Sequence, residues 1–258
     1  MKWKSPLNVP ALLTVAAVLA SLLTLAPSAV AQPSVYINEI RIDQPGGDDD
    51  EYFELAGTGG ASLDGLTYLV IGDSTDGLSG VVEAVVDLTG QSIPASGYFV
   101  AAENTFTLGT ADLTTNLNFE NSDNVTHLLV SGFTGADGDD LDTDDDGTLD
   151  VTPWTDLVDL IALVEEANPP SGTEYHYGPP SVGPDGSFVP GHAYFCPDAW
   201  QIGGFDPVGG DDTPGAANPC APVAPEVYIN EIRIDQPSTD NDEYFELAGT
   251  GGASLDGL

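Results

Sequence analysis

The chain has 258 residues, with 42 Asp and Glu against only 4 Lys and Arg, and a formal net charge of -38. A field of that sign repels nucleic-acid phosphate and anionic membrane surfaces, so direct binding to either is disfavoured. It favours divalent cations, basic partners or a saline medium that screens self-repulsion. Disorder is the usual alternative for an acidic chain, but 41% hydrophobic residues in regular alternation supply a core.

In chain order, Lys2 and Lys4 make a short basic region, an apolar stretch runs from Ala11 to Ala26, and Ala29-Val30-Ala31 has the small residues that signal peptidase accepts. Residues 1–31 therefore read as a signal peptide cleaved before Gln32. An uncleaved anchor is the competing reading, and polar Ser21 and Thr24 together with Pro27 speak against it. No second apolar run follows, so the expectation is a secreted, extracellular or cell-surface protein with no membrane span after cleavage. Arg41 and Arg233 are then the only Lys or Arg of the mature chain.

The next segments are short runs of β-branched, aromatic and aliphatic residues separated by Gly, Pro and Asp turns. Strands are predicted over 35–43, 51–57, 66–72, 81–88, 97–102 and 126–131, with shorter ones over 174–177, 193–196 and 200–203. Residues 156–164 fit either a helix or a strand. Val35 and Ile37 share one parity while Ile40 and Ile42 share the other, which predicts a bulge near Asn38-Glu39. Such a series of strands makes the expected fold class all-β, a sandwich.

Residues 227–258 repeat residues 35–66 at a constant offset, and the two differ only at Gly46/Ser238, Gly47/Thr239 and Asp49/Asn241. A unit of that length is a domain. The reading is one full domain over 32–220, a Pro/Ala linker over 221–226, and the truncated start of a second copy over 227–258, as in a fragment of a longer tandem protein. A disordered tail, or a tail that competes with the matching segment of the first copy as in domain swapping, are the alternatives. Cys196 and Cys220, the only cysteines, are expected to form one disulfide closing a loop of about two dozen residues, worth roughly 3 kcal/mol.

Val35-Tyr36-Ile37-Asn38-Glu39-Ile40, Glu51-Tyr52-Phe53-Glu54-Leu55, Ser62-Leu63-Asp64-Gly65-Leu66 and Asp212-Thr213-Pro214-Gly215-Ala216-Ala217-Asn218 together resemble the lamin-tail domain, in its bacterial exported form. The resemblance implies an immunoglobulin-like β-sandwich serving as an accessory module, at times beside a nuclease or phosphatase domain. The acidic insertion between Gly132 and Pro153 departs from that pattern.

The insertion carries the strongest chemical motif. Asp142, Asp144, Asp146 and Asp150 stand at positions one, three, five and nine of a DxDxDG loop. Gly147 makes the turn, and the Thr148 carbonyl falls at position seven. Alternate residues of a tight loop point inward, which suits Ca2+, a hard ion that takes six to eight oxygens. Position twelve is Pro153, so the bidentate Glu of an EF-hand is missing, and Asp137, Asp139, Asp156 or Asp159 are the candidates to replace it. A solvated acidic loop or halophilic acidity is the alternative.

Arg41 is expected in a structural ion pair with Glu39, Glu51 or Glu54, with Glu54 the chosen partner. Gly72-Asp73-Ser74 echoes GDS-type esterases. However, none of His127, His176 and His192 has the spacing that would supply Ser74 with a base, and neither His176 nor His192 has a zinc-ligand spacing. Trp154, Trp200, Phe195 and Tyr194 read as packing before they read as a sugar platform. The expected function is a non-catalytic binding or display module with an unidentified protein or surface partner. The alternative is the accessory region of a secreted nuclease or phosphatase, and a small esterase is a more distant one.

Overall fold

The structure is a computed structural model and describes residues 34–73, 78–167, 175–197, 199–220, 227–235 and 243–249. Residues 1–31, read above as a signal peptide, residues 221–226, read as a linker, and Ser74 lie outside these. Among the described residues the regular elements are all strands: β1 (Val35–Arg41), β2 (Tyr52–Gly57), β3 (Leu66–Asp73), β4 (Ser79–Asp87), β5 (Tyr98–Ala102), β6 (Leu113–Thr114), β7 (Val125–Ser131), β8 (Asp156–Leu163), β9 (Ser181–Val182), β10 (His192–Cys196), β11 (Ala199–Ile202), β12 (Val227–Arg233) and β13 (Tyr244–Gly249). The protein is thus the expected all-β sandwich. One sheet has the order β11-β10-β1-β2-β5-β6, the other β4-β3-β7-β8-β9, and β12 pairs only with β13.

The predicted bulge is present: the β1–β2 register shifts between Ile37 and Glu39. The extra residue changes the parity of β1. Val35 and Ile37 before it and Ile40 and Ile42 after it all enter one core, at 0–4% exposure. The same shift turns Asn38, Glu39 and Arg41 outward, where they meet Glu54 and Tyr52 of β2 on the outer face. Inside, Phe53 stacks on Tyr68 of β3 with ring centroids 3.7 Å apart, joining the two sheets.

Residues 156–163, ambiguous between helix and strand, form β8, antiparallel to β7. Val158, Ile161 and Leu163 serve the central core while Leu160 packs on the far face, so both faces of the strand are used and its apolar pattern is dense enough to mimic a helix. The strand expected over 174–177 is not found at 175–177. Tyr177 instead donates its backbone N–H to the Thr126 hydroxyl, lying across β7 rather than pairing with it.

Both outer faces are covered over much of their area. On the second sheet, Leu69, Ile71, Val82, Leu128 and Val130 form a cluster with Leu141 and Tyr177, against which Leu149 and Trp154 pack. The acidic insertion is therefore an apolar-backed cover. On the first sheet, the segment after β11 lies over the outer face of β1 and β2. The predicted Cys196–Cys220 disulfide holds that segment to β10.

Candidate functional site

The acidic loop is fixed to the edge of β4. Leu141 N donates to Gly80 O at 2.9 Å and Val82 N to Asp139 O at 2.9 Å, so the chain enters the loop in a strand-like pairing. Leu141 is 1% exposed and sets its neighbour Asp142 inside, at 0%. Asp142 Oδ2 accepts hydrogen bonds from Tyr177 Oη at 2.8 Å, Gly147 N at 2.9 Å and Ser79 Oγ at 3.3 Å, and its Oδ1 accepts from Asp146 N at 3.1 Å. These bonds wrap the loop around one buried carboxylate. Gly80 leaves room for it, since a Cβ there would sit 2.5 Å from the Asp142 Cβ. Gly147 has φ +85°, the left-handed turn that its place in the motif requires.

Asp142, Asp144 and Asp146 come together: each offers an oxygen within 4.8 Å of the others, with Asp142 buried and the other two exposed. Asp146 above all, with Asp150, Asp142 and Asp145 adding to it, pushes the exposed Asp144 carboxyl above its usual range, the signature of crowded negative charge. The remaining sequence candidates do not join this trio. Asp150 Oδ2 accepts from Thr143 Oγ1 at 2.5 Å and N at 3.0 Å, and Asp139 Oδ2 accepts from Ala136 N at 2.7 Å. Asp137 contributes to the field at Glu83. Asp159 accepts from Ile37 N at 2.8 Å and Asp156 from Ser131 Oγ at 3.2 Å. Thr148 lies within the loop, which has no regular structure there.

The expected Arg41–Glu54 pair is not formed. Arg41, fully buried, donates from Nε to Asp212 Oδ1 at 2.7 Å and from Nη2 to Asp212 Oδ2 at 2.6 Å, and its other N–H groups reach the carbonyls of Asp43, Gly204 and Phe205. Glu54 instead accepts from Asn38 Nδ2 at 2.6 Å and Gly215 N at 2.6 Å. The cause is register. Arg41 stands opposite Tyr52, not Glu54, and Glu54 stands opposite Glu39. Glu39 in turn accepts from Thr213 N at 2.9 Å and lies 2.9 Å from His192 Nε2. Burial lifts Glu54 to about 8, against the pull of its two donors. This cluster joins the first, second and last segments of the family-like pattern. Asp212 was its unrecognised member, legible only as the acid opening the closing Asp-Thr-Pro-Gly segment.

A second acidic trio escaped sequence reasoning. Asp73, Glu83 and Glu120 bring oxygens within 4.8 Å of one another from β3, β4 and the loop before β7. Burial and the neighbouring acids raise Glu83 to about 8 and Asp73 to about 6. Hydrogen bonds from Ser122 and Asn121 outweigh burial and hold Glu120 low.

Of the histidines, His127 is buried with Nδ1 2.8 Å from the Tyr68 hydroxyl, and burial depresses it to about 3. His176 Nε2 lies 3.4 Å from Ala167 O. Trp154 packs on the Leu141 cluster, and Trp200 and Phe195 are tilted at 5.8 Å.

No family model, no curated protein and no solved structure matches the chain. Among the described residues, no helix is long and apolar enough to cross a membrane.

Proposed function

We propose that this chain is a non-catalytic, exported binding or display module of the lamin-tail type, in which Ca2+ orders the loop over 142–150. The observation that carries the reading is the Asp142–Asp144–Asp146 trio at positions one, three and five of the motif, built on the buried Asp142 carboxylate that the hydroxyls of Tyr177 and Ser79 anchor. A divalent cation would offset repulsion between acids that the backbone already holds together, and calcium tolerates the irregular, partly hydrated coordination of an open loop.

Export is supported by the leader-like start of the sequence and by the disulfide, a bond that persists in oxidising compartments. The charge argues for a basic protein or a cation-bridged surface as partner and against nucleic acid. The lamin-tail reading draws support from the way three of its four sequence segments converge on the Arg41–Asp212 cluster.

The test is a calorimetric titration of CaCl2 into the chain, beside a variant carrying Asp142→Ala, Asp144→Ala and Asp146→Ala. Saturable binding that the variant loses supports the reading. Absent heat in a folded protein, with stabilisation only by molar NaCl, would instead assign the acidity to salt adaptation.

A further inference from the structure

Strands β12 and β13 form a hairpin whose apolar side chains are largely uncovered. Ile229 is 63% exposed, Ile232 56% and Phe245 70%, where their counterparts Ile37, Ile40 and Phe53 are at 1%, 0% and 0%. The hairpin nonetheless has the form of its counterpart. All six of its residue pairs repeat those of β1–β2 at the offset of the repeat, including the register shift, which falls between Ile229 and Glu231. The three positions at which the copies differ map to exposed residues of the β1–β2 connection. Every side chain that β1–β2 buries in the sandwich is therefore present, at the matching place, in β12–β13.

The surface that fits such a hairpin is on the same molecule. It consists of the β10 edge on one side, the β5 edge on the other, the Tyr68 ring beneath and Asp212 above. The connection permits the move. Cys220 is tied to Cys196 of β10, and Asn218 Nδ2 donates to Asn38 O of β1 at 3.0 Å, so the chain leaves the domain beside β1. Six residues, 221–226, lie between Cys220 and Val227, and the span from one to the other is about 23 Å when extended. The start of β1 lies only about 10 Å from Asn38 along the strand.

We propose that β12–β13 exchanges with β1–β2 for this slot within one molecule. The two occupancies bury the same side chains and so are close in free energy, and the short tether gives the second hairpin a millimolar effective concentration that a second chain does not match. In the exchanged form Arg233 replaces Arg41 against Asp212.

A cysteine trap reads the exchange directly. Ile40 faces Ala193 across the β1–β10 pairing, so Ile232 faces it when β12 fills the slot. The full chain carrying Ala193→Cys and Ile232→Cys is oxidised and its disulfides mapped by peptide mass, with Ala193→Cys and Ile40→Cys as the control that the site cross-links when β1 is in place. The expected result is an intramolecular 193–232 bond in a substantial fraction of molecules. Adding Arg41→Ala should raise that fraction, and adding Arg233→Ala should lower it at least tenfold, because only one occupancy then leaves Asp212 without its cation. A fraction indifferent to both arginine variants would mean random collision and would overturn the proposal. So would a working control with no 193–232 bond. A cross-linked dimer would also overturn it, by showing that the slot is filled from a second copy.

Discussion

Arg41 and Asp212, 171 positions apart, face each other through two parallel hydrogen bonds of 2.7 and 2.6 Å in a buried setting. The pair ties the first strand to the segment that follows the last strand of the sandwich. A buried guanidinium is tolerable only with its donors satisfied, and here the two Asp212 oxygens and three carbonyls do so. Removing one partner leaves a buried charge. Arg41→Met, in an Arg233→Met background so that the second copy cannot substitute, should cost about 3–5 kcal/mol in urea unfolding. Adding Asp212→Leu should restore part of that loss. A double-mutant cycle with no coupling would show that the contact is energetically idle.

The proposed calcium site of the acidic loop makes a graded prediction. At a free calcium concentration about a hundred times the dissociation constant, binding adds about 2.7 kcal/mol, or roughly 5–10 °C in Tm for a domain of this size. Asp142→Asn should abolish the shift. Asp139→Asn, whose carboxylate is engaged with Ala136 N, should keep it. Gly80→Ala should weaken it from outside the acidic set, since the added methyl falls 2.5 Å from the Asp142 Cβ at φ +76°. Thermal melts with calcium and with chelator, run on the three variants, separate these outcomes.

Most of the sandwich could be read from the sequence, because period-two alternation and turn residues are local signals. The β1 bulge was legible as a parity change between Ile37 and Ile40. Residues 156–164 were ambiguous because apolar side chains stand on both faces of β8, with Ile161 and Leu163 in the central core and Leu160 packed on the far face, which blurs the alternation of a half-exposed strand. The loop trio was legible because its ligand spacing is local. Asp212 was not: its partner is chosen by which segment covers the outer face of β1, a tertiary fact with no nearby sequence trace. The trio of Asp73, Glu83 and Glu120 stayed hidden for the same reason, since three elements contribute one acid each.

That second trio predicts a pH dependence. Glu83 is raised to about 8 in the folded protein from an ordinary value of 4.5, chiefly by burial and then by Glu120, Asp73 and Asp123. Its folded form holds a proton that the unfolded chain releases between these values, so its contribution to stability is full below about 4.5 and is lost as pH rises towards 8. Glu83→Gln should remove part of that slope and raise Tm at pH 8 by roughly 2–4 °C, the effect of about 1 kcal/mol in a domain this size. At pH 4 wild type and variant should melt together. Equal slopes of Tm against pH from 4 to 8 would contradict this account.

The disulfide tests whether the covering segment is an independent strap or part of the fold. Cys196 and Cys220, 24 positions apart, enclose β11 and the whole run that carries Asp212, Thr213, Gly215 and Asn218. Closing a loop of that size stabilises by about 3 kcal/mol through the unfolded chain, wherever the loop lies. The local consequence is more specific. Once the bond is cut, the polar contacts to Asn38, Glu39, Arg41, Tyr52 and Glu54 still hold the strap to β1 and β2. Cys196→Ser with Cys220→Ser should therefore lower global stability by about 3 kcal/mol while leaving the strap in place. Adding Asp212→Asn, almost isosteric but without the charge, should then release it. Amide hydrogen exchange reads the difference. The N–H groups of Thr213 and Gly215, which donate to Glu39 and Glu54, should stay protected in the cysteine variant and exchange freely in the triple variant, while the β3 and β7 amides stay slow in both. Loss of strap protection in the cysteine variant alone would show that the covalent tie, and not the buried ion pair, fixes the outer face of the first sheet.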